Sequence, residues 1–237
     1  MFFDLLISYL YPIYCLGCGA TDQWYICRSC HRNLKIHPEI CPVCHKFSID
    51  YKVCLWCYQT TPLTGLIIWF HYHDIIKKAI LKIKYHHISD IASFFASKLD
   101  LILKTNQSIQ YDIIHSSRTI LTFVPSHRTR KYFVKWYNQS ELLAQQLSNL
   151  THYPLVSAAY KIKNTKSQAN LNRSQRLANL IGAFHVNHTS DLQGDETIII
   201  IDDVTTTGST INELACSIRA YYPHIRIRWV VVARHVS

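Results

Sequence analysis

The run Ile198-Ile199-Ile200-Ile201 followed at once by Asp202-Asp203-Val204-Thr205-Thr206-Thr207-Gly208-Ser209-Thr210 leaves this chain few ways to fold. Four β-branched residues with no polar alternation describe a strand buried on both faces, as in the middle of a parallel sheet. Such a strand has helices on either side of it. The pattern Ile211, Leu214, Ala215, Ile218 that follows is helical, so the unit reads strand, loop, helix. A loop leaving the carboxyl end of a parallel strand for a helix N-terminus collects unpaired backbone N–H groups and the positive end of the helix dipole, which suits a phosphate. Gly208 lets the backbone approach closely, and the hydroxyls of Thr205, Thr206, Thr207, Ser209 and Thr210 add polar contacts. Asp202 and Asp203 cannot serve the same anion. Beside it they can accept hydrogen bonds from sugar hydroxyls or hold a divalent cation. A phosphate with a diol a few ångströms away is a ribose 5-phosphate. The competing reading is that the aspartates only open a turn and cap the helix. A Walker A loop is excluded for want of the Gly-Lys-Ser/Thr ending.

Eight of the nine cysteines fall into four C-x2-C pairs: Cys15/Cys18, Cys27/Cys30, Cys41/Cys44 and Cys54/Cys57. Each pair can form a knuckle presenting two thiolates to a tetrahedral metal, and two knuckles complete a four-thiolate site. Four knuckles make two structural zinc ions. A disulfide framework would need an oxidising compartment; a redox pair or an iron–sulfur cluster would also draw on paired thiols. Consecutive pairing would give two stacked zinc ribbons and alternate pairing a cross-braced module. The similar, short loops within each half favour the consecutive one. This segment has almost no core of its own, so its folding is expected to need metal, and with no open coordination position it reads as a docking module. Cys216 stands apart and is expected to be a small core residue.

The N-terminal stretch is apolar but has Asp4 where an export signal would be positive, and it lacks a small-residue cleavage site. It is expected to form a short amphipathic helix in a cytoplasmic protein with no stable membrane insertion. Lys plus Arg number 25 against 15 Asp plus Glu. That excess points to a polyanion such as nucleic acid, with generic solubility as the competing explanation.

A composition change after Thr61-Pro62 divides the chain into residues 1–60, the metal module, and 61–237, an α/β domain. Residues 66–72 read as a strand. Residues 74–85 put Ile76, Ala79, Ile80 and Ile83 on one helical face and Lys77, Lys78, Lys82 and Lys84 on the other, a basic face able to lie along a phosphate backbone or simply in solvent. Residues 91–103 continue as helix, and 105–117 read as a polar connection with a short strand. Residues 120–125 are a further buried strand, ending in Ser126-His127-Arg128-Thr129-Arg130-Lys131, whose cations point at the same crevice as the main motif. A helix over 141–150, with Asn138 or Ser140 as cap, precedes a strand over 155–162. Residues 161–176, with Lys161, Lys163, Lys166, Arg173 and Arg176, are too polar to bury and too long for a connector, which suits a flap over a ligand. Strands over 184–186, 198–204 and 225–233 complete a mainly parallel sheet.

The segment 198–210 resembles the phosphoribosyl pyrophosphate motif of type I phosphoribosyltransferases, a hydrophobic strand followed by Asp-Asp-x-x-Thr-Thr-Gly-x-Thr. The whole chain resembles the ComF family of competence proteins, ComFC type. Carrying that resemblance are the paired cysteines, Leu81-Lys82-Ile83-Lys84-Tyr85, Val124-Pro125, Asn138-Gln139, the series Thr165, Gln168, Leu171, Arg176, Asn179 and Phe184, and then the phosphoribosyl motif. Lys135-Trp136-Tyr137 departs from the family's usual Arg-Gly-Phe, and Lys161 and Lys163 stand where arginines are common, which keeps charge but loses bidentate geometry. The resemblance implies a phosphoribosyltransferase-like domain with a five-stranded core and small hood, and a role in natural transformation on incoming single-stranded DNA.

Three roles follow. In the first, the chain is a DNA-handling accessory protein, with the cations already named as phosphate contacts, Tyr85, Tyr132, Trp136 or Tyr137 stacking on bases, and the loop holding a nucleotide or strand end. In the second it is an active phosphoribosyltransferase, in which Mg2+ neutralises the pyrophosphate, Asp202 and Asp203 fix the ribose diol, and Arg128 or a flap cation meets the leaving group. No residue reads as an obvious general base. In the third, the zinc ribbons dock a DNA helicase or recombination partner and the ligand site is a sensor or a relic.

Overall fold

The computed structural model describes residues 12–86, 88–126, 138–163, 180–187 and 192–236. The expected N-terminal helix, the Arg128, Arg130 and Lys131 loop and the stretch with Arg173 and Arg176 therefore lie largely or wholly outside the described residues.

The cysteine-rich module opens with β1 (Ile13–Tyr14) and β2 (Thr21–Asp22), an antiparallel pair, then the single-turn α1 (Arg28–Arg32). Next come β3 (Leu63–His71), α2 (Asp74–His86), α3 (Ser89–Thr105), α4 (Gln107–Ile114), β4 (Thr119–Phe123) and α5 (Gln139–Thr151). The chain closes with β5 (Ala159–Lys161), β6 (Phe184–Val186), β7 (Thr197–Thr205), α6 (Ser209–Tyr221) and β8 (Arg226–Arg234). The main sheet has the order β3-β8-β7-β4 and every pairing in it is parallel. It is flanked by helices, the α/β architecture the isoleucine run requires.

β7 lies between β8 and β4, and its side chains alternate between two cores. Ile199 and Ile201 pack with Ile76 and Ile80 of α2, Phe95 of α3 and Leu143 of α5. Ile198 and Ile200 pack with Ile211, Leu214 and Ile218 of α6. All four isoleucines are fully buried, worth about 1.5–3 kcal/mol each in transfer terms.

Three details differ from expectation. Residues 105–117 contain α4 in place of a loose connection, because the polar residues that disguise it are paired: buried Asp112 and Ser108 receive the Nε and Nη2 of Arg228 from β8. The strand expected over 155–162 is divided. Leu155 bridges Leu121 at the outer edge of β4, and only Ala159–Lys161 pairs, antiparallel, with β6, so among the described residues the parallel sheet has four full strands and a rudiment of a fifth. Cys216 is exposed on the outer side of α6, where its Sγ lies 3.8 Å from Asn212 Nδ2, and is not a core residue.

The outer edge of β3 is not free. His37 N donates to Trp69 O at 2.8 Å and Ile36 bridges Phe70, while Val53 N donates to Thr64 O at 3.3 Å and Lys52 bridges Gly65. Two pieces of the cysteine-rich module thus cover what would otherwise be an open edge. No helix among the described residues is long and apolar enough to cross a membrane.

Candidate phosphate loop and metal centres

Parallel strands bring their carboxyl ends to one side of the sheet, and β7 ends there in the acidic pair and the threonine loop. Asp202 Oδ1 accepts from Ser140 Oγ at 3.0 Å and from the Asp203 amide at 2.9 Å; Asp203 Oδ1 accepts from the Val204 amide at 2.8 Å. Burial and the facing charge of Asp203 push the Asp202 carboxyl well above the usual carboxylate range, against the opposing pull of Ser140 and the Asp203 amide. Tyr72, just past β3, is raised by burial and by the charge of Asp203.

Gly208 caps α6 with φ +76°, a conformation side chains resist. A Cβ there would also sit 3.2 Å from the Trp229 ring, so the turn needs glycine on two counts. Asp202, Thr205, Thr206, Thr207, Gly208, Ser209 and Thr210 line a concavity of about 50 Å3 floored by Trp229. The loop is therefore open, with Thr207 and Ser209 hydroxyls 3.1 Å apart at its rim.

The remaining candidates fall elsewhere. Ser126 is exposed beyond β4 and Lys163 donates to the Ile181 carbonyl; neither lines the concavity. Arg128, Arg130, Lys131, Arg173 and Arg176 lie outside the described residues. On α2, Lys77 and Lys78 are exposed and Lys82 and Lys84 half-buried; Lys78 Nζ donates to Leu16 O at 3.2 Å and Lys84 sits 5.6 Å over the Tyr85 ring.

Two contributors to the site go beyond the residues that the sequence marks for it. Arg234, which ends β8 in register with Thr205, donates from Nε to the Thr206 carbonyl at 3.4 Å, and His235 N donates to Thr205 O. Its signal is present in the sequence: any cation at the carboxyl end of a strand beside β7 reaches this loop. The other is Ser140, which sequence pattern suggests only as a cap. The cap is in fact Asn138, whose Oδ1 accepts from Ser140 N while its Nδ2 donates to Val124 O, which leaves the Ser140 hydroxyl for Asp202.

The cysteines gather as the consecutive arrangement requires, Cys15, Cys18, Cys27 and Cys30 in one group and Cys41, Cys44, Cys54 and Cys57 in the other, with each group's sulfur atoms within 4.8 Å of one another. None is in a disulfide. Backbone amides aim at sulfur, Gly17 N and Cys27 N at Cys15 Sγ (3.4 Å each) and Cys54 N at Cys41 Sγ (3.5 Å), as suits thiolates. Burial pushes Cys15 and Cys41 up, but backbone amides outweigh it and bring them down to about 6 and about 7. Hydrogen bonds from Cys15 and Cys27 hold Cys30 up at about 12, and burial with Cys54 and Cys44 does the same to Cys57. Four crowded thiols cannot all ionise unaided. A divalent, thiophilic ion with tetrahedral preference relieves that conflict, and the donor set fits zinc.

No protein-family profile matches the chain. Among curated proteins it is 29% identical over 205 residues to the DNA utilization protein YhgH of Escherichia coli K12, covering 83% of this chain and 85% of that one. It is 27% identical over 209 residues to Competence protein F of Haemophilus influenzae, 87% and 90% of the two lengths. Against Competence protein ComFC of Bacillus subtilis it is 26% identical over 195 residues, 79% and 75% of the lengths.

Proposed function

Starting from the premise that this chain is a homologue of the ComF-type competence proteins and of the DNA utilization protein, as the sequence resemblance anticipated, we propose that it serves DNA uptake and use. In this reading it acts in the cytoplasm on incoming single-stranded DNA, and the loop 202–210 binds a phosphoribosyl or nucleotide-type ligand. The observation that carries it is the open, glycine-turned loop at the carboxyl end of β7, with an acidic pair beside a row of hydroxyls at a helix N-terminus. The 5-phosphate lies in the concavity against the loop amides. Asp202 and Asp203 accept from the ribose hydroxyls, or hold Mg2+ when the ligand is phosphoribosyl pyrophosphate. Ser140 and Arg234 keep the acids and the loop in place. The net charge of +10, with Lys77 and Lys78 exposed on α2, supports contact with a phosphate backbone.

Two measurements test it together. Fluorescence anisotropy with labelled single-stranded DNA should show affinity falling steeply as salt rises; binding indifferent to ionic strength defeats the DNA part. Replacing both acids, Asp202→Asn with Asp203→Asn, should abolish transformation at unchanged protein levels, and a fully competent strain would show that the pocket is not what the cell uses.

A further inference from the structure

The two cysteine clusters are seated differently. The first leans on helices: Lys78 of α2 holds the Leu16 carbonyl, a Cβ on Gly17 would collide with Ile75 at 2.6 Å, and His31 meets Phe94 of α3 edge-on at 5.6 Å. The second leans on the phosphate loop. Pro42 and Val43, the two residues inside the Cys41/Cys44 knuckle, join Thr60, Leu63, Thr207, Gly208, Ser209 and Asn212 around a cavity of about 110 Å3. Pro42 O lies 3.7 Å from where a Cβ on Gly208 would be, on a glycine whose other neighbour is the Trp229 ring. The loop turn thus lies between an indole and the Cys41/Cys44 knuckle.

The chain around this knuckle is fastened to the same element. Ile40, just before it, is buried in one core with Ile211 and Trp229. Thr61 Oγ1 donates to Asn212 Oδ1 at 2.7 Å, and Arg219 Nη2 to Pro62 O at 2.9 Å, so the segment after Cys57 is tied to α6 twice. A C-x2-C knuckle keeps its shape because both sulfurs are held by one ion, and that shape fixes where Pro42 and Val43 stand.

We propose that the Cys41, Cys44, Cys54, Cys57 site is a positioning device for the phosphate loop, so that metal there sets the affinity for a ribose 5-phosphate group, while metal at the first site does not. This deepens the functional reading given above and rests on it. Coupling between two sites is reciprocal: ribose 5-phosphate in the loop must tighten zinc at the second cluster by the same factor that zinc tightens the sugar phosphate.

The test uses the full chain loaded with two zinc ions and ribose 5-phosphate as probe. Zinc affinity is measured at equilibrium by competition with a chromogenic chelator, with and without the probe, and binding of the probe by calorimetry on the wild type, Pro42→Gly and Leu16→Ala. The probe should tighten one zinc equivalent about tenfold and leave the other unchanged. Pro42→Gly, with both metals retained by elemental analysis, should weaken binding about tenfold, and Leu16→Ala in the first knuckle less than about twofold. A wild type that binds the probe while both zinc affinities stay unaltered overturns the coupling, whether or not Pro42→Gly folds. So does a folded Pro42→Gly variant that binds as tightly as wild type. A wild type that takes no ribose 5-phosphate overturns the reading of the loop itself, and the proposal with it.

Discussion

At the residue scale the acidic pair carries an electrostatic cost. Asp202 is held against Asp203 where burial and the neighbouring charge raise its proton affinity above that of an ordinary carboxyl. A carboxyl raised on folding contributes stability that is complete below the unfolded value and lost as pH climbs through the folded one. Asp202→Asn should therefore raise the thermal midpoint near neutral pH by about 2–4 °C, the shift ~1 kcal/mol makes in a chain of this length. It should also flatten the midpoint between acid and neutral pH. Melts of both proteins across that range check it; a variant less stable than wild type at every pH would refute the assignment. The identity of this pair is plain in the sequence. Its electrostatics are not, since they depend on a serine sixty-two positions away.

At the scale of elements, the segments that announce themselves are those whose burial is complete. β7, β8, α2 and α6 follow from isoleucine and valine spacing alone, and α2 buries Ile76, Ala79, Ile80 and Ile83 as its period requires. α4 is hidden because two of its three buried side chains, Ser108 and Asp112, are polar. Asp112 is 7% exposed and Arg228 3%, so each makes sense only with the other, and they stand far apart in the chain. Removing one partner leaves a buried charge alone. Asp112→Ala should cost about 3–5 kcal/mol in urea unfolding, and a loss under about 1 kcal/mol would mean the pair is solvated. The division of residues 155–162 is likewise illegible, since both pieces are strand-like and only the edge of β4 and the arrival of β6 decide where each one pairs.

At the scale of the molecule, the cysteine spacing foretells two four-sulfur groups and favours consecutive pairing without settling it, yet nothing in it tells that the module is built into the sheet. Chelation should accordingly disturb more than the module. Stripping metal from the full chain should lower the thermal midpoint and quench or shift the emission of the tryptophans, Trp229 among them, beyond what the loss of the exposed Trp24 and Trp56 environments explains; a Trp24→Phe, Trp56→Phe variant whose emission ignores chelation would contradict this. The strips at residues 35–37 and 52–53 have a practical consequence for anyone who trims this protein. A fragment beginning at position 61, where composition shifts, would bare the outer edge of β3, leaving the amides and carbonyls that face away from β8 unspoken for. Size-exclusion chromatography of that fragment should find oligomers or precipitate in place of a monomer. What looks on paper like a detachable appendage is the selvedge that keeps the fabric from running.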